Sequence, residues 1–439
     1  MNPQFTPKAI QEKLIKNQIT KQEASELFVQ VLEKSGDEKV RIETLNLIDK
    51  TILGSEKTFK LLETLLISDE NAEVRVRAIK KLVRDFPLKS IKPFEWTIQH
   101  DTSGTVLMTL REVVDSSDLS EYESLKEALS NRLSKLSDEW GIVPLETLFL
   151  LDLQEQIEWS VLKHFKVYQS NNLWDVLYND EVDFCVSRDH ILGLRIHSAG
   201  IRYIPRSICF LSKLRYLNLA QNLIECLPSA LSSLTRLKFL DLSDNRLSSL
   251  PDFWDELKSL RKLRLQFNLD VGEIPNSLFK LVQRNNSKRY IRDGVNPKEA
   301  SVLGLFEIFT REEIIRIEES DDFWMDCEFC YHVNSEGRVS GLRIIGDELY
   351  QLSFIPEQIA DLEYLEELNF AFNLIEQIPE SIGKLKRLRI LNLTNNKIST
   401  LPKSLKDLTS LEKLNLDDNL KDKIPEGLSL KARFSKPLR

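Results

Sequence analysis

The chain has 439 residues, 42% of them hydrophobic and 29% charged, with a formal net charge of −8 and a pI near 5.5. This balance suits a globular chain and lacks the basic excess of a sequence-independent nucleic-acid binder. No cationic segment leading into an apolar stretch opens the sequence, and no apolar run reaches the roughly 20 residues of a bilayer span, so neither a secretory leader nor a membrane span is expected. The five cysteines are odd in number and scattered, which points to a reducing cytoplasm rather than a disulfide framework.

Residues 1–140 read as helices. Apolar positions recur at helical spacing in 24–34, 40–52, 58–67, 74–86 and 105–114. Val40-Arg41-Ile42 and Val74-Arg75-Val76 match each other 34 residues apart, each after an acidic turn, and 105–114 reads as a third, weaker copy. A helix, a polar turn and a second helix opening on Val-Arg resembles the HEAT family of α-solenoid repeats.

Residues 142–183 change pattern through PLETLFLLDL and a stretch around Trp174. A beat of 23 residues then sets in. Proline falls at Pro205, Pro228 and Pro251, and again at Pro356, Pro379, Pro402 and Pro425. Asparagine keeps step at Asn222, Asn245 and Asn268, then at Asn373, Asn396 and Asn419. A fixed period of this length means that each unit must stack on its neighbours to bury its apolar side.

The phrase LxxLxLxxNxLxxLP resembles the leucine-rich repeat family with LP-type units. In Leu214–Leu219 the leucines alternate inward on a short strand, while Tyr216 and Asn218 face out. The asparagines read as a ladder satisfying the turn's backbone, and the prolines fix φ on the return path. Ala199 and Tyr350 stand where asparagine is expected, as in degenerate first repeats.

Residues 283–330 interrupt the beat. Pro144 and Glu146 are echoed by Pro297 and Glu299, and Phe184-Cys185-Val186 before ILGLRI by Tyr331-His332-Val333 before VSGLRI. Lead-in helix, hairpin and four repeats therefore form one unit present twice. The expected fold is an α/β solenoid, with two leucine-rich arrays of parallel sheet behind a HEAT-like α-solenoid. The expected boundaries are helical repeats at 1–140, cap plus first array at 142–282, linker and second cap at 283–330, second array at 331–428, and a basic tail at 429–439, read as a solvated end.

The outward strand positions are the candidate partner-binding residues. In array one they are Arg195, His197, Tyr216, Asn218, Phe239, Asp241, Lys262 and Arg264, with Tyr216 and Phe239 in one column. In array two they are Arg343, Glu367, Ile390 and Lys413. Asn369, Asn392 and Asn415 share a column with Asn218, which reads as a habit of the repeat.

Chemistry is sparse. Cys327 and Cys330 before His332 are the one metal-like spacing, but they lack a second pair, and no metal or cofactor is expected. Glu318, Glu319, Asp321 and Asp322 lack the glycine and alternation of a calcium loop. No phosphate loop, dinucleotide fingerprint or nucleophile elbow is present, so no catalytic residue is assigned. The chain is expected to be a cytoplasmic, non-enzymatic, monomeric scaffold that binds proteins and not nucleic acid. The resemblance also implies two alternatives: a regulator in Ras-like GTPase or phosphatase signalling, or the substrate-recognition part of an enzyme complex.

Overall fold

The computed structural model describes residues 6–48, 52, 54–157, 166–169, 183–268, 271, 273–285, 287–310, 314–317, 327–347, 351–425 and 431–435. Trp174, Tyr350 and the acidic run Glu318–Asp322 lie outside the described residues. The chain forms two compact bodies, one spanning 1–159 with 188–190 and 205–211, the other holding the rest.

The first body is helical: α1 (Pro7–Ile15), α2 (Lys21–Lys34), α3 (Glu38–Leu47), α4 (Ser55–Ser68), α5 (Ala72–Asp85), α6 (Ile91–His100), α7 (Gly104–Asp115), α8 (Glu123–Trp140) and α9 (Glu146–Gln154). Caps define the starts. Thr20 and Glu23 close a capping box on α2, and the side chains of Asp37 and Asn71 accept backbone N–H groups at the starts of α3 and α5. Helix α3 ends at Leu47, short of the expected 52, because Ile48 turns extended.

The second helix of each pair packs on the next, in the row α3, α5, α7, α9. A buried arginine–aspartate ladder runs along this row. Arg41 meets Asp69 at 3.2 Å, and Arg75 grips Asp101 through two bonds of 2.8 and 3.0 Å. Each guanidinium also donates to the carbonyls of the turn before its own helix, Ser35 O and Asp69 O. The matching Val-Arg motifs thus form one repeated joint. At the next step Asp152 of α9 takes over, accepting from Ser103 Oγ at 3.0 Å and from Thr105 N and Oγ1 at 2.7 Å. The lead-in segment at 146–154 therefore packs as the last helix of the row.

The second body holds both leucine-rich arrays. A six-stranded sheet runs β1 (Lys166–Gln169), β2 (Asp183–Ser187), β3 (His190–Arg195), β4 (Tyr216–Asn218), β5 (Phe239–Asp241) and β6 (Lys262–Arg264). A seven-stranded sheet runs from β7 (Ile315–Arg316) through β8 (Phe329–Val333), β9 (Val339–Ile344), β10 (Glu367–Asn369), β11 (Ile390–Asn392) and β12 (Lys413–Asp417) to β13 (Lys431–Ser435). From β3 to β6 and from β9 to β13 neighbours pair in parallel, in register with the 23-residue repeat from β3 to β6 and from β10 to β12, while β8 and β9 pair antiparallel. The basic segment expected as a solvated end instead supplies β13, because the backbone of β12 still offers a free edge there.

Between the sheets come α10 (Asn276–Asn285), α11 (Ser287–Arg292) and α12 (Pro297–Thr310). Helix α12 is wholly apolar on most sides, and its whole 299–306 stretch is buried. It serves both arrays. Leu265 N, just past β6, donates to Ile308 O at 2.9 Å, so α12 closes the last repeat of array one. Phe306 meets Phe370 edge-on at 5.4 Å and Phe309 meets Phe354 at 4.8 Å, so the same helix covers the start of array two.

The two lead-in helices share one device. Buried Glu146 bonds His190 Nδ1 at 2.9 Å, and buried Glu299 bonds Arg338 Nε at 2.7 Å and Val339 N at 2.8 Å. His190 and Arg338 each immediately precede the ILGLRI and VSGLRI segments, so the likeness between the two segments includes the partner of the buried glutamate. In the second copy Gly341 leaves room for the His332 ring, since a Cβ there would sit 2.1 Å from His332 Nε2 and force the ring to move.

Candidate protein-binding surface

The asparagine column is internal, as the repeat predicts. Asn245 Nδ2 donates to Leu219 O, Leu242 O and Ser243 O at 2.9–3.2 Å, and its Oδ1 accepts from Ile224 N at 3.0 Å. Asn222, Asn268, Asn373 and Asn396 repeat the pattern. The residue before each of these five asparagines is left-handed: Gln221, Asp244, Phe267, Phe372 and Asn395 have φ of 53–61°.

The outward column containing Asn218, Asp241, Asn369 and Asn392 is also structural. Each side chain accepts the backbone N–H two residues on, at 2.9–3.2 Å, turning the chain away from its strand.

That leaves the first outward column and the arginines. Tyr216 and Phe239 are direct partners in the ladder, with rings stacked at 4.6 Å and 11°. The guanidinium of Arg264 lies 5.4 Å from the Phe239 ring and donates to Asp241 Oδ2 at 3.1 Å. Exposure departs from expectation. Tyr216 is only 6% exposed and burial pushes its phenol pKa up, so the accessible part of the cluster is Phe239, Arg264 and neighbouring Lys262. Arg195 and Asp241 are buried, and His197 is half-buried against Ser198 Oγ at 3.0 Å.

In array two Arg343 is buried, donating to Cys327 O at 3.2 Å and lying 3.7 Å from Glu367. Glu367 and Ile390 are half-buried and Lys413 is exposed, one per strand in the same column. The structure thus aligns Tyr216, Phe239 and Lys262 in one column and Glu367, Ile390 and Lys413 in another.

His332 is taken up within its own hairpin, with Nδ1 2.8 Å from Ser340 Oγ, and Cys330 Sγ donates to Cys327 O at 3.6 Å. Among the described residues no helix is long and apolar enough to cross a membrane.

Two features escaped the outward-position rule. Phe267 and Phe372, at the left-handed turn positions, are 38% and 41% exposed. A bulky residue is costly in that conformation, and the signal in the sequence was phenylalanine directly before a ladder asparagine, where the other repeats have polar residues. The second is the residue just before each strand, Arg215, Lys238 and Arg261, visible only when both arrays are aligned position by position.

With this geometry in view, two family models match parts of the chain. A leucine-rich repeat region family matches residues 322–429, and a leucine rich repeat family matches 193–247. Over these regions the chain is a leucine-rich repeat protein, preceded by a helical region. Among solved structures it is similar to a leucine-rich repeat protein of Leptospira interrogans, at 18% identity over 61% of this chain and 86% of that one, with a TM-score of 0.22. It is also similar to an internalin of Listeria monocytogenes, at 17% identity over 56% and 82%, TM-score 0.21. A third is the Arabidopsis receptor kinase HAESA, solved with the peptide hormone IDA and the co-receptor SERK1, at 24% identity over 54% and 31%, TM-score 0.24. No curated protein matches the chain.

Proposed function

We propose that this chain is a non-enzymatic, cytoplasmic, monomeric scaffold that holds protein partners on the strand faces of its two leucine-rich arrays. The observation that carries this reading is the Tyr216–Phe239 stack with Arg264 beside it. A buried ring braces a partly exposed one, and a guanidinium anchored on Asp241 extends the apolar patch with a charge. Aromatic and arginine side chains held rigid in this way make effective interface anchors. Array two offers Glu367, Ile390 and Lys413 in the equivalent column, a different chemistry that suits a different partner surface.

Affinity purification followed by mass spectrometry tests the assignment. Phe239→Ala with Arg264→Ala is expected to remove the partners of array one, at about 2 kcal/mol or more of binding energy, roughly 30-fold in affinity. Glu367→Ala with Ile390→Ala should leave those partners bound. An unchanged partner set in the first variant and a lost one in the second would reverse the assignment.

A further inference from the structure

The residue that opens each strand is set by the repeat, so the two arrays can be compared place for place. In array two this column is Glu366, Arg389 and Glu412, successive backbone partners with N–H to carbonyl distances of 2.8 Å. Arg389 lies 2.8 Å from Glu412 and 3.7 Å from Glu366, so the charges alternate and pair. In array one the same column is Arg215, Lys238 and Arg261, linked at 2.8 and 2.9 Å through the same backbone bonds. Like charges in adjacent strands destabilise a sheet. Among the described residues none of the three has a carboxylate at ion-pair distance, in a chain whose net charge is −8.

The row ends in a cleft of about 540 Å³ whose cations are Lys238, Lys258, Arg261, Arg284 and Lys288. They come from the strand rim, the loop before β6 and helices α10 and α11. No carboxylate lines the cleft. Arg284 is fixed at its wall by donating to Leu257 O at 3.0 Å, and its buried Nε has no protein acceptor among the described residues.

From the unneutralised row and the cleft it feeds, we infer that array one carries a binding site for a small polyanion bearing two or more phosphate groups. The cleft lies in the size range of small-molecule sites. Lys238 and Arg261 at strand spacing of about 4.8 Å, joined by three cations from the loop and helices, match several separate charged groups better than one ion. Guanidinium forks also suit phosphate oxygens in particular.

Isothermal titration of the full chain with inositol hexakisphosphate is the direct test. One site per chain is expected, weakening as salt rises. Lys238→Glu with Arg261→Glu should weaken it at least tenfold, while Arg389→Glu in array two leaves it unchanged. Lys238→Glu alone rebuilds the alternation of array two, so it should keep or raise Tm while weakening binding, which separates loss of the site from loss of the fold. Sedimentation with phosphatidylcholine vesicles, with and without phosphatidylinositol bisphosphate, distinguishes a lipid headgroup from a free ligand. Headgroup-dependent sedimentation that the soluble probe competes away supports the site with lipid as the source. Absence of binding in both arms, binding undiminished by the double charge reversal, or a preference for an RNA oligonucleotide over the probe would each overturn it.

Discussion

Asparagine is the residue that lets a 23-residue turn exist at all. Asn245 gathers three carbonyls and one N–H that no strand or helix would otherwise pair, and the ladder positions from Asn222 to Asn396 do likewise. Asn245→Ala should therefore cost about 2–4 kcal/mol, because it strands buried backbone groups and not merely one bond. Asn419, exposed and making a single bond of 3.1 Å to Ile398 O, should cost under about 1 kcal/mol when truncated. Urea denaturation of the two variants checks the contrast, and equal losses would contradict the ladder account. This layer was legible in the sequence at Asn222, Asn245, Asn268, Asn373 and Asn396, because a side chain that serves the backbone must recur with the backbone, while Asn419 keeps the beat but stands exposed at the end of the array. The burial of Tyr216 was not legible. It depends on what neighbouring strands place over a ring, and the period is silent about that.

The helical row shows how an element reads its neighbours. The Val-Arg motifs were visible 34 residues apart, but the acceptors Asp69 and Asp101 lie 28 and 26 residues further on and belong to the next pair. At the end of the row Glu155 lies among Asp152, Arg75 and Asp101. Burial first, then the nearby Asp152 charge, push its pKa up to about 7, despite Arg75 at 3.9 Å. Its unfolded value is near 4.5. Below that value Glu155 is neutral in both states and carries no penalty. As pH rises from about 4.5 to 7 the unfolded chain ionises more readily, so the helical body loses stability, on the order of 1–2 kcal/mol once solvent screening is allowed for. Glu155→Gln should flatten this part of the Tm-against-pH curve. A curve unchanged by the substitution would show that other carboxylates set the slope.

At the scale of the molecule the break in the beat was readable, but its use was not. The interruption marked where array one stops and a new lead-in starts, which suggested separate solenoids. The structure instead gives α12 two jobs, through Ile308 O on one side and Phe306 and Phe309 on the other. Nothing in a repeat announces that its cap will also close its predecessor, since that contact lies between units and has no period. Phe306→Ala should cost about 3–5 kcal/mol. Hydrogen exchange should show protection falling around both β6 and β10, and a loss confined to array two would argue against the shared role.

The paired glutamates Glu146 and Glu299 give the duplication a further meaning. Each copy begins with a helix that packs onto the elements before it, α7 in one case and α10 in the other, and that carries one buried carboxylate bonded to the residue before ILGLRI or VSGLRI. Such a unit brings its own coupling with it, like a rail carriage that carries its hook. Growth by copying then needs no newly evolved interface: a third unit spliced after the second would arrive with the means to dock, and each addition would contribute a fresh recognition face free to diverge.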